Sequence, residues 1–245
     1  MLTGHPSLES RTQAGRFPQD ALHLLAIDTC GPSGSVALGR LDAGAVEILG
    51  QIELEGRSYS ATLVAAVGEV LEHAGVELRE VGGIVAMSGP GSFTGVRVGL
   101  SAVKGLAEAT GIPVAAVSRL EVLAAKAGVT SAALDAHRHE VFLRVSRPDV
   151  EAKELLAGVP ELATIAPLSR IAVCEPAAAL LLASAWPAAE LFRVQAPTAA
   201  DALVLCASRI AAGQFVDVAL LDGHYLRRSD AEIFGEAAAA EPLSS

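Results

Sequence analysis

Asp28, with Thr29 beside it, and Asp135 each end a short apolar run, LLAID and AALD, and each is followed by a turn. A carboxylate at a strand end that faces a cleft can hold Mg²⁺ beside a nucleotide. It can equally accept a hydrogen bond from its own turn and do nothing more. Between the two acids lies SGPGSFTGVRVG (88–99), which joins an apolar run to a helical one. Backbone N–H groups gathered at such a junction can cradle an anion. A phosphate loop, however, closes with Gly-Lys-Ser/Thr, and the residue after Gly95 is Val96. The competing reading is structural. Gly89 and Gly91 allow a tight turn, Ser92 or Thr94 caps the following helix, and Gly95 and Gly99 let another backbone come close. The missing lysine favours this second reading. General-base attack on a phosphate would also need a further positioned acid, and Glu140 alone does not provide one.

Metal and nucleophile chemistry find less support. The histidines are at 5, 23, 73, 137, 139 and 224, and no HxxxH pair occurs. His137 and His139 share a turn region without an evident third ligand, so no metal site is expected. Cys30, Cys174 and Cys206 are scattered and odd in number, with no CxxC pair. Neither a disulfide framework nor a zinc knuckle follows, and a reducing cytoplasm fits best. No serine or cysteine is singled out by a nearby base and orienter.

The composition narrows the classes further. Of 245 residues, 51% are hydrophobic and only 19% charged, and the formal net charge is −10. Such a chain folds rather than staying disordered, yet carries no electrostatic footprint for gripping nucleic acid by itself. A surface so poor in charge favours a protein partner. No apolar run approaches the roughly 20 residues of a membrane span, and the start lacks an apolar core long enough for a secretory signal.

The elements that must position these residues follow from periodicity and punctuation. Runs 23–28 and 35–39 read as a β-hairpin, with 46–54 as a third strand. A helix is expected over 60–74, capped by Ser58 or Ser60, with an apolar stripe of Leu63, Val64, Val67, Val70 and Leu71; Gly75 ends it. A strand at 83–87, a helix at 95–110 and a strand at 114–117 complete the order βββαβαβ. A helix at 119–127 then leads to SAALDA and EVFLRV, a second hairpin that repeats the first and makes Asp28 and Asp135 equivalent. Two similar lobes would follow from a duplication; a chance pairing would give the same pattern. Beyond residue 150, Pro-Ala-rich stretches at 159–167 and 185–200 read as loops, with helices at 175–185 and 200–213, the latter capped by Thr198. The helices at 60–74 and 95–110 also carry smooth rows of small residues, Ala61, Ala65, Ala66 and Gly68 on one and Gly95, Gly99, Ala102 and Gly105 on the other. These pack inside the chain or against another subunit; the low overall charge favours a partner for at least one.

LLAIDTCGPSGSVAL, SGPGSFTGVRVGLSAVKGLA, GIPVAAVSRLEVLA, ALDAHRHEVF and the late YLR (225–227) resemble the TsaB (YeaZ) family, over about 23–145 and again at 225–227. Residues 146–220 match in general character only. The resemblance implies an α/β, actin-like/Hsp70-like (ASKHA) two-lobe fold with ribonuclease H-like cores. On it, 1–21 is a flexible extension, 22–117 the N-terminal lobe with the partner-binding helices, 118–230 the C-terminal lobe and 231–245 a flexible tail. It further implies a cytoplasmic, non-catalytic accessory subunit in making threonylcarbamoyladenosine next to the tRNA anticodon. Its partners would be the catalytic subunit TsaD in a heterodimer and the ATPase TsaE in an ATP-dependent ternary complex. Self-association would use the same surface, and tRNA would be met only through the complex. The implied contacts lie among Leu63, Val67, Val70, Gly95, Gly99, Val103 and Leu106. Asp28, Thr29 and Asp135 would form a vestigial nucleotide site holding ATP or ADP with Mg²⁺ weakly, with no cofactor bound firmly. The metal-binding HxxxH of TsaD is missing. Tyr59 stands where the family often keeps a histidine, and His139 stands where it has a glycine. The two aspartates leave open an ATPase or kinase of the actin-like superfamily, and a metallopeptidase is a third reading.

Overall fold

The computed structural model describes residues 21–56 and 58–227. The expected extension, save Ala21, and the tail at 231–245 lie outside the described residues. The first half forms β1 (Leu22–Asp28), β2 (Ser33–Asp42), β3 (Ala45–Glu55), α1 (Tyr59–Ala74), β4 (Val81–Met87), α2 (Phe93–Thr110), β5 (Val114–Val117) and α3 (Arg119–Lys126). The second half forms β6 (Ala132–Asp135), β7 (Glu140–Arg147), β8 (Val150–Gly158), α4 (Val159–Thr164), β9 (Arg170–Val173), α5 (Pro176–Ala185), β10 (Glu190–Arg193) and α6 (Ala199–Ala211).

Each half builds one five-stranded sheet, in the order β3-β2-β1-β4-β5 and, in the matching sense, β8-β7-β6-β9-β10. In both, the first three strands are antiparallel neighbours and the last two run parallel to the first. Two halves with one element order and one strand order are a duplication, which pattern alone left beside chance. This arrangement is the two-lobed α/β fold with ribonuclease H-like cores that the resemblance implied.

The sequence explains the central strands. Leu24, Leu25, Ala26 and Ile27 are sealed one after another, as happens when a strand is covered on both faces. Leu63, Val67 and Val70 of α1 and Val96, Leu100 and Val103 of α2 join that core, and so do Ala202, Leu203, Cys206 and Ile210 of α6. The third helix of each half packs on the other half's sheet. α3 lies on β6, β7 and β9, while α6 lies on the first sheet from β1 to β5. The two exchanged helices are tied by Lys126 Nζ to Asp201 Oδ2 at 2.7 Å and by an Arg209–Glu121 ion pair. The C-terminal lobe drawn at 118–230 therefore does not hold as one packing unit: α6 and the segment after it return to the first sheet.

The helix caps largely follow expectation. Ser92 accepts from Gly95 N at 3.2 Å, Thr198 caps α6, and Gly75 at φ 65° ends α1. Ser58 precedes α1, but its hydroxyl donates to Glu55 O at 3.0 Å instead of capping. The two stretches read as loops contain α4 and β10. Pro160 opens a short helix rather than breaking one, because the first turn has no N–H to lose.

Candidate functional site

β1 and β6, the middle strands of the two sheets, each deliver their aspartate into the same local turn. Asp28 Oδ1 accepts from Cys30 N at 2.9 Å, and Asp135 Oδ1 accepts from His137 N at 2.8 Å. The second oxygens differ. Asp28 is 1% exposed, and its Oδ2 lies 3.7 Å from Nε of Arg119, itself buried. Neither of these two atoms has a hydrogen-bond partner. Arg119 is the first residue of α3, and its backbone N–H donates to Gly89 O at 2.6 Å. Gly31 makes room for it: a Cβ there would stand 2.4 Å from Arg119 Nη2.

Burial serves the two partners unequally. It pushes the Asp28 carboxyl up, and Arg119 and the Cys30 amide pull it back without cancelling the shift. It also works against the Arg119 charge, but Asp28 more than restores that. Burial and the neighbouring Asp28 push the Cys30 thiol far up as well. The result is a sealed ion pair, not a carboxylate open to a ligand.

The SGPGSFTGVRVG segment explains the sealing. A Cβ at Gly95 would lie 2.0 Å from Thr29 O, at Gly99 2.3 Å from Thr29 Oγ1, and at Gly91 2.1 Å from Cys30 O. Thr29 Oγ1 donates to Gly95 O at 2.7 Å, and Ser92 N donates to Cys30 O at 2.7 Å. The glycines thus let the start of α2 close over Asp28-Thr29-Cys30, as the structural reading of the loop required. Tyr59 completes the closure from α1 by donating its hydroxyl to Gly31 O at 2.8 Å, and burial pushes that phenol well up.

Above this floor lies a cleft of about 760 Å³ between the lobes, with Pro32, Pro90, Arg119, Asp135, Phe142 and Glu175 among its lining. Asp135 reaches it, but its backbone N–H donates to Glu175 Oε2 at 3.2 Å and its Oδ2 lies 3.2 Å from His137 Nδ1. The adjoining turn runs through His137, Arg138 and His139 at φ 60°, 54° and 59°, left-handed conformations that ask for Gly or Asn. Of the three residues named for a nucleotide, only Asp135 lines the cleft. Asp28 and Thr29 are sealed beneath its floor, Asp28 Oδ2 facing the Arg119 cation and Thr29 Oγ1 bonded to Gly95 O, so these residues do not fit a magnesium ion held at Asp28. Among the described residues, no group of three or more His, Cys, Asp or Glu could hold a metal.

The named contact residues are also placed otherwise than expected. Leu63, Val67, Val70 and Val103 are buried in the core on the chain's own sheet, Gly95 and Gly99 are buried against Thr29, and Leu106 is half-buried. A helix uses its apolar stripe to cover the sheet beneath it, so the stripe cannot also face a partner. The outward row of α1 is Ala61, Val64, Ala65 and Gly68, and that of α2 includes Ser101 and Gly105, flanked by half-buried Val98, Ala102 and Leu106.

Arg119 escaped the sequence reading. Its signal was a cation at the first position of a helix, the end that disfavours positive charge; such a placement calls for a nearby carboxylate.

The family model of tRNA N6-adenosine threonylcarbamoyltransferase (TsaD) matches residues 49–158. The tRNA threonylcarbamoyladenosine biosynthesis protein TsaB of Bacillus subtilis is 36% identical over 123 residues, 49% of this chain and 52% of that protein. Its Escherichia coli counterpart is 35% identical over 127 residues, 49% and 53% of the two chains. The solved YeaZ of Pseudomonas aeruginosa superposes with a TM-score of 0.64 at 28% identity, over 84% of this chain and all of that one. In sequence and in fold the chain is similar to TsaB (YeaZ) proteins. It spans about half the length of the curated TsaB relatives it matches. The TsaD model covers β3 to β8, which includes both outward helices, α1 and α2. In this chain the glycine-rich segment serves the closure over Asp28.

Proposed function

We propose that this TsaB-family chain is a non-catalytic subunit of the machinery that makes threonylcarbamoyladenosine in tRNA. On this reading it docks on a TsaD-family threonylcarbamoyltransferase through the outward faces of α1 and α2. One observation carries the reading: Val64, an apolar side chain 76% exposed, stands among Ala61, Ala65 and Gly68, beside the similarly small row of α2. Two helices with small outward residues allow a partner's helices to approach closely and bury area at low side-chain entropy. The names of the relatives supply the pathway, and the sealed Asp28–Arg119 pair and the missing HxxxH support a role without catalysis. The net charge of −10 supports meeting tRNA through partners, TsaD and the ATPase TsaE, rather than alone. Without TsaD the same face would pair two copies of the chain. A nucleotide in the cleft would be a weak ligand and not a substrate.

The test is assembly. Mixed with the TsaD homologue of its own source, the chain should elute as a 1:1 complex by size-exclusion chromatography with light scattering. Val64→Glu should weaken the complex at least tenfold while leaving the chain folded. Assembly unchanged by Val64→Glu and by Gly68→Glu would refute the placement. Modification of tRNA by the chain alone would refute the non-catalytic role.

A further inference from the structure

After α6 the chain does not end its work on one lobe. Phe215, Val218 and Leu221 pack into the first sheet's core, and Val216 N donates to Val114 O of β5 at 2.8 Å. At His224 the segment straddles the lobes. Its backbone N–H donates to Ser88 O of the first lobe at 2.7 Å, and its ring Nε2 lies 2.9 Å from Glu154 Oε2 of β8. The next three residues, YLR, cross from the first lobe to the second. Tyr225 packs at a tilt on Phe93 at the start of α2, with ring centroids 4.9 Å apart. Leu226 packs with the second-lobe cluster around Leu134 and Phe142. Arg227 pairs with Glu140 of β7. Gly223 allows this course, since a Cβ there would meet the Tyr225 ring at 2.4 Å.

We propose that residues 214–227 are a built-in strap that fixes the two lobes against each other, taking the part that a ligand in the cleft would otherwise play. A two-lobed molecule hinged at a cleft needs something to bias its closure, and a ligand can bias it only through different contacts in the open and closed states. Here the covalent chain supplies those contacts, because His224, Tyr225, Leu226 and Arg227 all line the cleft. The YLR run is therefore a mechanical element. It also ties α2 to the second lobe, since Tyr225 packs on Phe93 of α2 while the adjoining Leu226 and Arg227 hold the second lobe.

Spin labels at Ala109→Cys on α2 and Ser184→Cys on α5, both exposed positions, in a Cys174→Ser background, would report the distance between lobes by pulsed electron resonance. The parent protein should give one narrow distribution, with or without added ATP. Arg227→Gln and Glu140→Gln should each widen it, and the pair together should widen it no further, because both remove the same bond. Tyr225→Ala should widen it independently. Unchanged widths in all variants would overturn the proposal. So would strictly additive widening of the Glu140 and Arg227 variants, which would mark general damage, or a parent distribution that narrows only on adding ATP.

Discussion

Asp28 and Arg119 face each other 3.7 Å apart beneath the cleft, the one from the end of β1 and the other from the first turn of α3. Since α3 packs on the second sheet, the pair joins the two lobes at the point where a sheet-end carboxylate would otherwise be free. Breaking a buried pair leaves an uncompensated charge and costs about 3–5 kcal/mol, whereas replacing both partners with apolar groups can be near neutral. Asp28→Asn and Arg119→Met should each lower stability by about that amount, and the double variant by clearly less than their sum. Urea unfolding of the four proteins in the cycle gives the coupling; a coupling near zero would show the pair to be incidental.

The glycines of α2 should divide by what stands over them. Gly95→Ala would place a methyl 2.0 Å from Thr29 O, a backbone atom with nowhere to go, and should destabilise by about 1–3 kcal/mol or more. Gly105→Ala meets nothing within 4 Å and should stabilise the isolated chain by about 0.5–1 kcal/mol. If Gly105 lies under the partner, that same variant binds TsaD less tightly. Thermal unfolding and a binding titration on one preparation separate the two effects.

Acid should loosen the strap at Glu154. Burial pushes this carboxyl up, but His224 beside it and hydrogen bonds from Ser118 and Arg144 outweigh it and hold the group below its ordinary value. A lowered value in the folded state means that the stabilisation is present at neutral pH and is lost as pH falls through that value. At pH 7, Glu154→Gln should cost about 1.5–3 kcal/mol, the range for hydrogen bonds to a charged group. The gap between the variant and the parent should close as the pH is taken down through the carboxylate range. A gap that stays constant from pH 7 to pH 3 would contradict the assignment.

The left-handed turn at His137–His139 should be improvable. His139 holds φ 59°, which costs a residue with a side chain roughly 1–2 kcal/mol relative to a relaxed conformation. His139→Gly should raise the melting temperature by about 2–4 °C, the shift expected of about 1 kcal/mol in a chain of this size. Calorimetry would show it directly, and a lowered melting temperature would mean that the imidazole makes contacts worth more than the strain.

Much of the fold was legible because β1 and α1 announce themselves. LLAI is a run that only a doubly covered strand can bury, and Leu63, Val67 and Val70 repeat at helical spacing. The second half was harder. AALD and RIAV are four-residue strands, too short to show alternation, and α4 begins at a valine and proline that read as loop. At the site, the sequence located Asp28 and Asp135 and paired them correctly as equivalents. It could not show that they meet different fates, because the partner of Asp28 lies 91 residues away in sequence, a separation that no local pattern bridges. The burial of the residues named for partner contact went unseen for a related reason. Leu63 and Val103 belong to the apolar stripes of their helices, and for that very reason the sheet claims them.

The exchange of α3 and α6 bears on how the molecule is made. The first sheet leaves the ribosome early, but the helix that seals it is encoded at 199–211. Until that stretch emerges, the nascent chain must keep an apolar surface of β1, β2 and β4 without its native cover, a state prone to capture by other chains. Scission in the connection between α3 and β6 would then yield two fragments, each carrying the helix that covers its sibling's sheet.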